Sequence, residues 1–367
     1  MPDIELKKQV KNIALYPFSL LYGLVTAFRN WLFDNGLIPI TSFKIPIISV
    51  GNLAVGGTGK TPHTEFILTA LQNEWKTAVL SRGYKRNTKG FEFANENSNN
   101  QTIGDESYQI YKKFPNVTVA VDEKRVHGVK KLQGLVPDLQ LVVLDDAFQH
   151  RYIQAGLSIL LTDYDNIYSR DLMLPAGQLR EWKSGSKRAN IVVVTKCPAN
   201  LNPIDMRLIE IELKPENNQL LFFSTFIYNE LIPVFPDSEP EPWTYKQIKE
   251  THAGVLLVAG IVRPEPIVEH LKNYTKSVDT LFFDDHHAFQ TKDYSSINFQ
   301  FELLNSTEKI ILVTEKDAAR MVSDSNFPEV LKSITFAIPI RIKILQNKET
   351  LFIQKIKNYV VENSRNR

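Results

Sequence analysis

One run of small residues carries the clearest chemistry in this chain: Ala54-Val55-Gly56-Gly57-Thr58-Gly59-Lys60-Thr61. Glycines let backbone N–H groups close around phosphate oxygens, and a helix starting at the last glycine aims its positive end at the same anion. Lys60 then reaches the β- and γ-phosphates of a nucleotide, and the Thr61 hydroxyl can ligate Mg²⁺. The run follows the apolar PIISV at 46–50 and precedes a helical stretch at 64–71, the strand–loop–helix setting that a phosphate loop requires. One departure is visible, since Ala54 stands where the usual pattern has glycine. A second signal is LVVLDD at 141–146, an apolar strand ending in Asp145 and Asp146. Such a strand supplies Mg²⁺-coordinating carboxylates. Alone it is weak, because strand-end acids are common caps. After a phosphate loop it points to ATP and Mg²⁺.

Four polar loops follow apolar runs: SRGYKR at 81–86, GDES at 104–107, FQHR at 148–151 and PAGQLRE at 175–181. In open α/β sheets, ligands sit beyond the carboxyl ends of the strands. Arg82, Lys85 and Arg86 can bind an acidic group by charge-assisted hydrogen bonds, or they can form a solvated basic turn. Asp105 and Glu106 suit chemistry, and equally suit the acidic first turn of a helix. FFDDHH at 282–287 pairs two acids with two histidines, but no partner cluster stands at metal-ligand spacing.

These residues need a scaffold. Short Val- and Ile-rich runs at 45–50, 77–80, 117–121, 139–144, 158–161 and 191–194 alternate with helix-length stretches. Continuous apolar runs suit strands buried on both faces, so this part reads as a doubly wound, mostly parallel sheet. Residues 231–243 (LIPVFPDSEPEPW) read as an irregular connection. Further runs at 255–259, 280–283, 310–314 and 334–345 predict a second, smaller α/β unit, closed by a helix at 351–361. The Asn-rich stretch 87–100 reads as an exposed loop.

The chain has 367 residues and a formal net charge of +2, too small a charge to argue for nucleic acid. Its one cysteine, Cys197, forms no internal disulfide and excludes a Cys-based zinc cluster. No segment points to a protein partner. Residues 12–28 (NIALYPFSLLYGLVTAF) carry no charge, with Lys7, Lys8 and Lys11 before them and Arg29 after. The run is short for a bilayer span and is interrupted by Pro17 and Gly23. Two readings stand: a helix packed on the protein's own core, or an interfacial helix with Tyr16, Tyr22 and Trp31 at headgroup level.

Together these stretches resemble the tetraacyldisaccharide 4′-kinase family, the lipid A 4′-kinases of Gram-negative bacteria. The matching residues are SVGNLAVGGTGKTP (49–62), LSRGYKR (80–86), GDE (104–106), LDDAFQHR (144–151), LPAGQLRE (174–181), VTK (194–196), AGIVRP (259–264), FDDH (283–286) and VTEKDAAR (313–320), in order along the chain. The resemblance implies transfer of the γ-phosphoryl group of ATP to the 4′-hydroxyl of a tetraacylated glucosamine disaccharide 1-phosphate. That lipid substrate lies in the inner membrane, so the resemblance implies a peripheral enzyme on its cytoplasmic face. It makes residues 1–40 an amphipathic membrane-interface segment, 41–230 the P-loop kinase domain and 231–367 the smaller domain. It implies catalytic roles for Lys60, Asp105 and His286, and substrate-binding roles for Asn52, Arg82, Tyr84, Lys85, Gln149, His150, Arg151, Arg180 and Glu181. Three positions depart from the family pattern: Ser107 for proline, Ala147 for glycine and Gln178 for proline. None of them removes a titratable or metal-binding group.

The rival class is a membrane-recruited P-loop GTPase or ATPase switch. A GTPase carries Asn-Lys-x-Asp after a late strand. Here Lys196 stands without the Asn or the Asp, and in TEKD at 314–317 the lysine comes one residue late.

Overall fold

The structure, a computed structural model, describes residues 2–238, 240–285 and 287–364, with residues 2–13 as backbone alone. The apolar runs form strands, most of them buried on both faces. They are β1 (Ile47–Asn52), β2 (Thr77–Ser81), β3 (Glu92–Phe93), β4 (Thr118–Val121), β5 (Leu141–Asp145), β6 (Leu157–Asp163), β7 (Ile191–Thr195) and β8 (Leu220–Tyr228). A second series comprises β9 (Ile232–Pro233), β10 (Gly254–Ala259), β11 (Val278–Phe282), β12 (Lys309–Thr314), β13 (Thr335–Ile338) and β14 (Ile340–Ile344).

The large sheet has the order β14-β8-β7-β6-β1-β5-β2-β4-β3 and the small one β11-β10-β12-β13-β9. The interior pairs of both sheets are parallel, and the antiparallel pairs lie at edges. Apolar clusters cover both faces of each sheet, as parallel strands require. The doubly wound α/β class is therefore present.

Two features differ from the sequence reading. Residues 334–345 form two strands, because Pro339 separates β13 from β14 and offers no N–H to either ladder. β13 joins the small sheet beside β12, whereas β14 returns to the large sheet and runs antiparallel to β8. Residues 340–364, assigned by sequence to the smaller unit, thus stand with the large sheet, and Phe352, Ile356 and Val360 of the last helix join its core.

The N-terminal helix α1 (Pro2–Asp34) runs through both Pro17 and Gly23 without a break. Gly23 is a contact rather than an interruption: a Cβ there would lie 2.5 Å from the Trp182 ring. The face of α1 on the protein carries Ser19, Gly23, Asn30 and Phe33, at helical spacing. Its outward face is apolar, and Phe18, Leu21, Leu24, Val25 and Phe28 are each at least 60% exposed. Among the described residues no helix is long and apolar enough to cross a membrane.

Candidate active site

Register brings the two nucleotide motifs together. β1 and β5 are adjacent and parallel, with Val50 opposite Asp145, so the loop after β1 and the acids after β5 open on the same edge. Lys60, the first residue of helix α2 (Lys60–Leu71), places Nζ 3.7 Å from Asp146 Oδ2. Arg180 Nη1 lies 3.6 Å from Asp146 Oδ1. Asp145 is buried and accepts a hydrogen bond from Thr64 Oγ1 at 3.0 Å. Burial, reinforced by neighbouring Asp146, pushes its carboxyl up to about 6. Beneath it Arg125, 1% exposed, donates to the carbonyls of Asp122 and Asp145.

Gly56 and Gly59 have φ of +107° and +82°, a region that favours glycine. Ala54 does not need that freedom. Its methyl packs with Leu53, Phe148 and Leu179, and Val55 N–H donates to Gln178 O at 2.8 Å. The departure from glycine therefore costs the loop nothing visible. From behind, Thr195 Oγ1 donates to Thr58 O and Asn52 Nδ2 to Thr58 Oγ1, both at 2.9 Å. Asn52 is 1% exposed, and its amide nitrogen braces the loop.

A second polar cluster draws on elements of both sheets. Asp105 is the first residue of the helix Asp105–Lys113 and accepts from Arg320 Nη2 at 2.7 Å and Nε at 3.1 Å. Arg320 is itself buried and donates to Asp317 Oδ1 at 2.9 Å. Asp317 is fully buried and takes further bonds from Gly260 N–H and Thr314 Oγ1. Beside them Lys316 lies between Glu106 (3.5 Å) and Asp285 (3.1 Å), which draws the FDDH loop toward GDE. Lys113 joins Glu65 of α2 to Glu315 at 2.7 Å each. His286 lies outside the described residues. Its neighbour His287 bonds Asp293 at 2.8 Å and stacks on Phe283, both within its own domain. Among the described residues no group of three acids, histidines or cysteines is poised to hold a metal unaided.

The basic loop meets Asp105 through glycine. Gly104, at φ +85°, lies so close that a Cβ would stand 3.0 Å from Tyr84 O. Arg82, Tyr84 and Lys85 are exposed there, with Lys85 Nζ 5.9 Å from the Tyr84 ring centroid. Gln149 Nε2 donates to Leu53 O and Arg180 donates to Gln149 Oε1, near the outer limit of hydrogen bonding. His150 bonds Glu123 O at 3.0 Å, and burial beside Arg125 lowers its imidazole to about 4. Two sequence candidates contact α1. Arg151 donates to Asn30 O and Asp34 at the C-terminal end of that helix, where a cation suits the dipole. Glu181, 5% exposed, binds Arg188 and accepts from Asn30 Nδ2 at 2.8 Å.

Ser107 and Ala147 also find structural reasons. Ser107 Oγ lies 2.6 Å from Ser81 Oγ, and Ala147 is buried in the apolar cluster beneath β2 and β5. Sequence reasoning missed Lys316, Asp317 and Arg320 as site residues. A signal existed, since Lys316 and Arg320 stand four apart and so share a helix face. Trp182 was likewise missed. Its Nε1 donates to Gly23 O at 2.8 Å, and only the fold brings the two together.

Comparison with known proteins shows the family. The profile of the family described as tetraacyldisaccharide-1-P 4′-kinase matches residues 11–360. The tetraacyldisaccharide 4′-kinase of Bacteroides thetaiotaomicron is 48% identical over 96% of this chain and 94% of its own. That of Flavobacterium johnsoniae is 44% identical over 95% of this chain and 97% of its own. The solved structure of LpxK from Aquifex aeolicus in complex with ATP superimposes with a TM-score of 0.72 at 28% identity, covering 95% of this chain and 99% of that one. A GTPase switch is not favoured.

Proposed function

This chain belongs to the tetraacyldisaccharide-1-P 4′-kinase family, and on that premise we propose how its residues divide the work of an ATP-dependent lipid A 4′-kinase. Residues 54–61 hold the triphosphate, with Lys60 against the transferring group. The observation that carries this reading is the convergence of Lys60 and Arg180 on Asp146, beside the P-loop. Thr61, Asp145 and Asp146 form a hard-oxygen donor set that fits Mg²⁺, and a cation would offset the burial and the repulsion from Asp146 that raise the Asp145 carboxyl. Held by Thr61, Asp145 and Asp146, Mg²⁺ would supply positive charge against the charge that develops on the transferring phosphoryl group.

Asp105 takes the proton of the acceptor hydroxyl as that oxygen attacks the γ-phosphorus. The bond from phosphorus to the β–γ bridging oxygen breaks, and ADP leaves. A free carboxylate is a weak base, near pKa 4. Its task is therefore chiefly to orient the hydroxyl and accept the proton late. Arg320 supports this role by holding the carboxylate at a fixed angle. His286 is its proposed partner, and the exposed Arg82, Tyr84 and Lys85 receive the sugar or its phosphate.

The enzyme works at the inner-membrane surface, bound there through α1. A helix that turns mostly small and polar residues inward, with Phe33 the exception, and a run of aromatic and aliphatic ones outward suits a bilayer interface better than water. The test is direct: incubate the protein with labelled ATP and the disaccharide 1-phosphate lipid in vesicles. A labelled, doubly phosphorylated lipid is expected. ATP consumed at one rate with and without the lipid would refute the reading.

A further inference from the structure

Immediately after the P-loop stands a histidine that neither the motif nor the mechanism uses. His63 lies in the first turn of α2 and is 1% exposed. Its Nδ1 is 2.7 Å from Gly59 O, and its Nε2 is 2.9 Å from Ser224 Oγ on β8. A carbonyl oxygen only accepts, so Nδ1 carries the proton. Nε2 is then an acceptor, and the Ser224 hydroxyl donates to it. Burial, with the charge of Lys196 nearby, lowers the ring to about 4, so it is uncharged at neutral pH.

Gly59 is where the loop becomes a helix. Its left-handed backbone leaves no room for a side chain, since Phe226 of β8 would lie 3.0 Å from a Cβ. The peptide joining Gly59 to Lys60 is planar, with C=O and N–H on opposite sides. The Gly59 carbonyl accepts from His63 twice, from the backbone N–H at 3.2 Å and from Nδ1–H at the shorter 2.7 Å, and these two bonds together set the direction of the Lys60 N–H. That N–H is one of the helix's orphan donors and has no partner within the helix. With the carbonyl drawn toward His63, the N–H points out of the helix into the space the loop encloses.

We propose that His63 is a positioning residue for phosphate binding: protonated on Nδ1 and anchored to Ser224, it locks the Gly59–Lys60 peptide so that the Lys60 N–H faces the triphosphate. The inference rests on the reading of residues 54–61 as the ATP site. It also gives β8 a function, because Ser224 and Phe226 press on the P-loop from a strand that β14 holds in place through the pairs Ser224–Ile344 and Phe226–Ile342.

The test compares His63→Phe, which keeps the ring but loses both side-chain bonds, with His63→Asn, whose amide can still donate to Gly59 O. Affinity for ATP is measured by calorimetry, with KM for ATP, KM for the lipid, kcat and Tm alongside. Loss of one buried hydrogen bond predicts ATP binding weakened about tenfold in His63→Phe. KM for the lipid should stay within about twofold, and His63→Asn should recover most of the ATP affinity. A folded His63→Phe protein with unchanged ATP affinity would overturn the proposal. So would an equal rise in both KM values that His63→Asn does not rescue. Should His63→Phe not fold, ¹⁵N NMR of histidine-labelled wild-type protein decides, because a proton on Nε2 of His63 contradicts the proposal. If wild-type ATP binding is insensitive to Lys60→Ala, the P-loop reading itself fails; if it is sensitive, only His63 is at stake.

Discussion

The proposed nucleotide half and the proposed acceptor half of the site are built on opposite principles. The nucleotide half is local: one loop after β1 and two acids after its neighbour β5, related by strand register. The acceptor half joins Asp105 to Arg320, Glu106 to Lys316 and Lys113 to Glu315, across more than two hundred residues of chain. A phosphate cradle is a backbone device, so it needs particular residue types in a fixed order. An acceptor site is held by side chains from different elements, and its parts need no common spacing. The local half should fail abruptly when one group is removed, and the assembled half should fail by degrees.

Lys60→Ala gives the largest effect. Removing a charge-neutralising contact to the transferring group should lower kcat by about 10²–10⁴. Steady-state kinetics measures this, and near-normal turnover would remove the P-loop from the mechanism. Arg320→Ala comes next. It leaves Asp317 buried without its ion-pair partner, a change that typically costs about 3–5 kcal/mol. Denaturation should report that loss, and kcat should fall about tenfold to a hundredfold with KM for ATP unchanged. Arg320→Lys should recover stability better than rate, because lysine cannot reproduce the two-nitrogen grip on Asp105.

The same contrast explains what was legible in the sequence. The strands β1, β2 and β4–β7, the P-loop, the acids after β5 and the second sheet all follow from apolar runs and glycine placement. β8 was not foreseen, although LLFFSTFIY is a strand by composition. The split of 334–345 at Pro339 had a signal, since TFAI is a continuous apolar run and IRIKI alternates apolar with basic residues, but the sheet each half joins is set by tertiary partners. Asn52, Arg151 and Glu181 carry groups fit for a substrate, yet each is turned into the protein, behind the P-loop or against α1. Residue type tells what a side chain can bind. Only packing decides what it meets.

Proton competition offers a subtler test of the nucleotide half. A carboxylate must be deprotonated to ligate a metal. With Asp145 pushed up to about 6, the Mg²⁺ concentration giving half-maximal activity should rise about tenfold between pH 7 and pH 5. Asp145→Asn should be slow at every pH and lose this dependence. The stability sign is also set. A carboxyl raised from 3.8 to about 6 favours the metal-free fold most below pH 3.8, and that contribution is lost as pH rises through 6. Thermal melts across that range, with chelator, measure it.

The smallest effect belongs to α1. Gly23→Leu drives a side chain into Trp182 and should lift the helix off residues 180–182. Turnover of the vesicle-borne lipid should fall severalfold while ATP affinity stays unchanged. An equal loss in both would mean that α1 is part of the core rather than an interfacial attachment.

The central claim is that Asp105, held by Arg320 at the junction of the two sheets, acts on the acceptor while the P-loop edge acts on ATP. Asp105→Asn keeps the shape and removes the base, so ATP affinity and kcat on the same preparation test the claim most directly. It predicts ATP affinity within about threefold of wild type and kcat lowered at least about a hundredfold at every pH. A kcat close to wild type, or a loss confined to ATP binding, would contradict it.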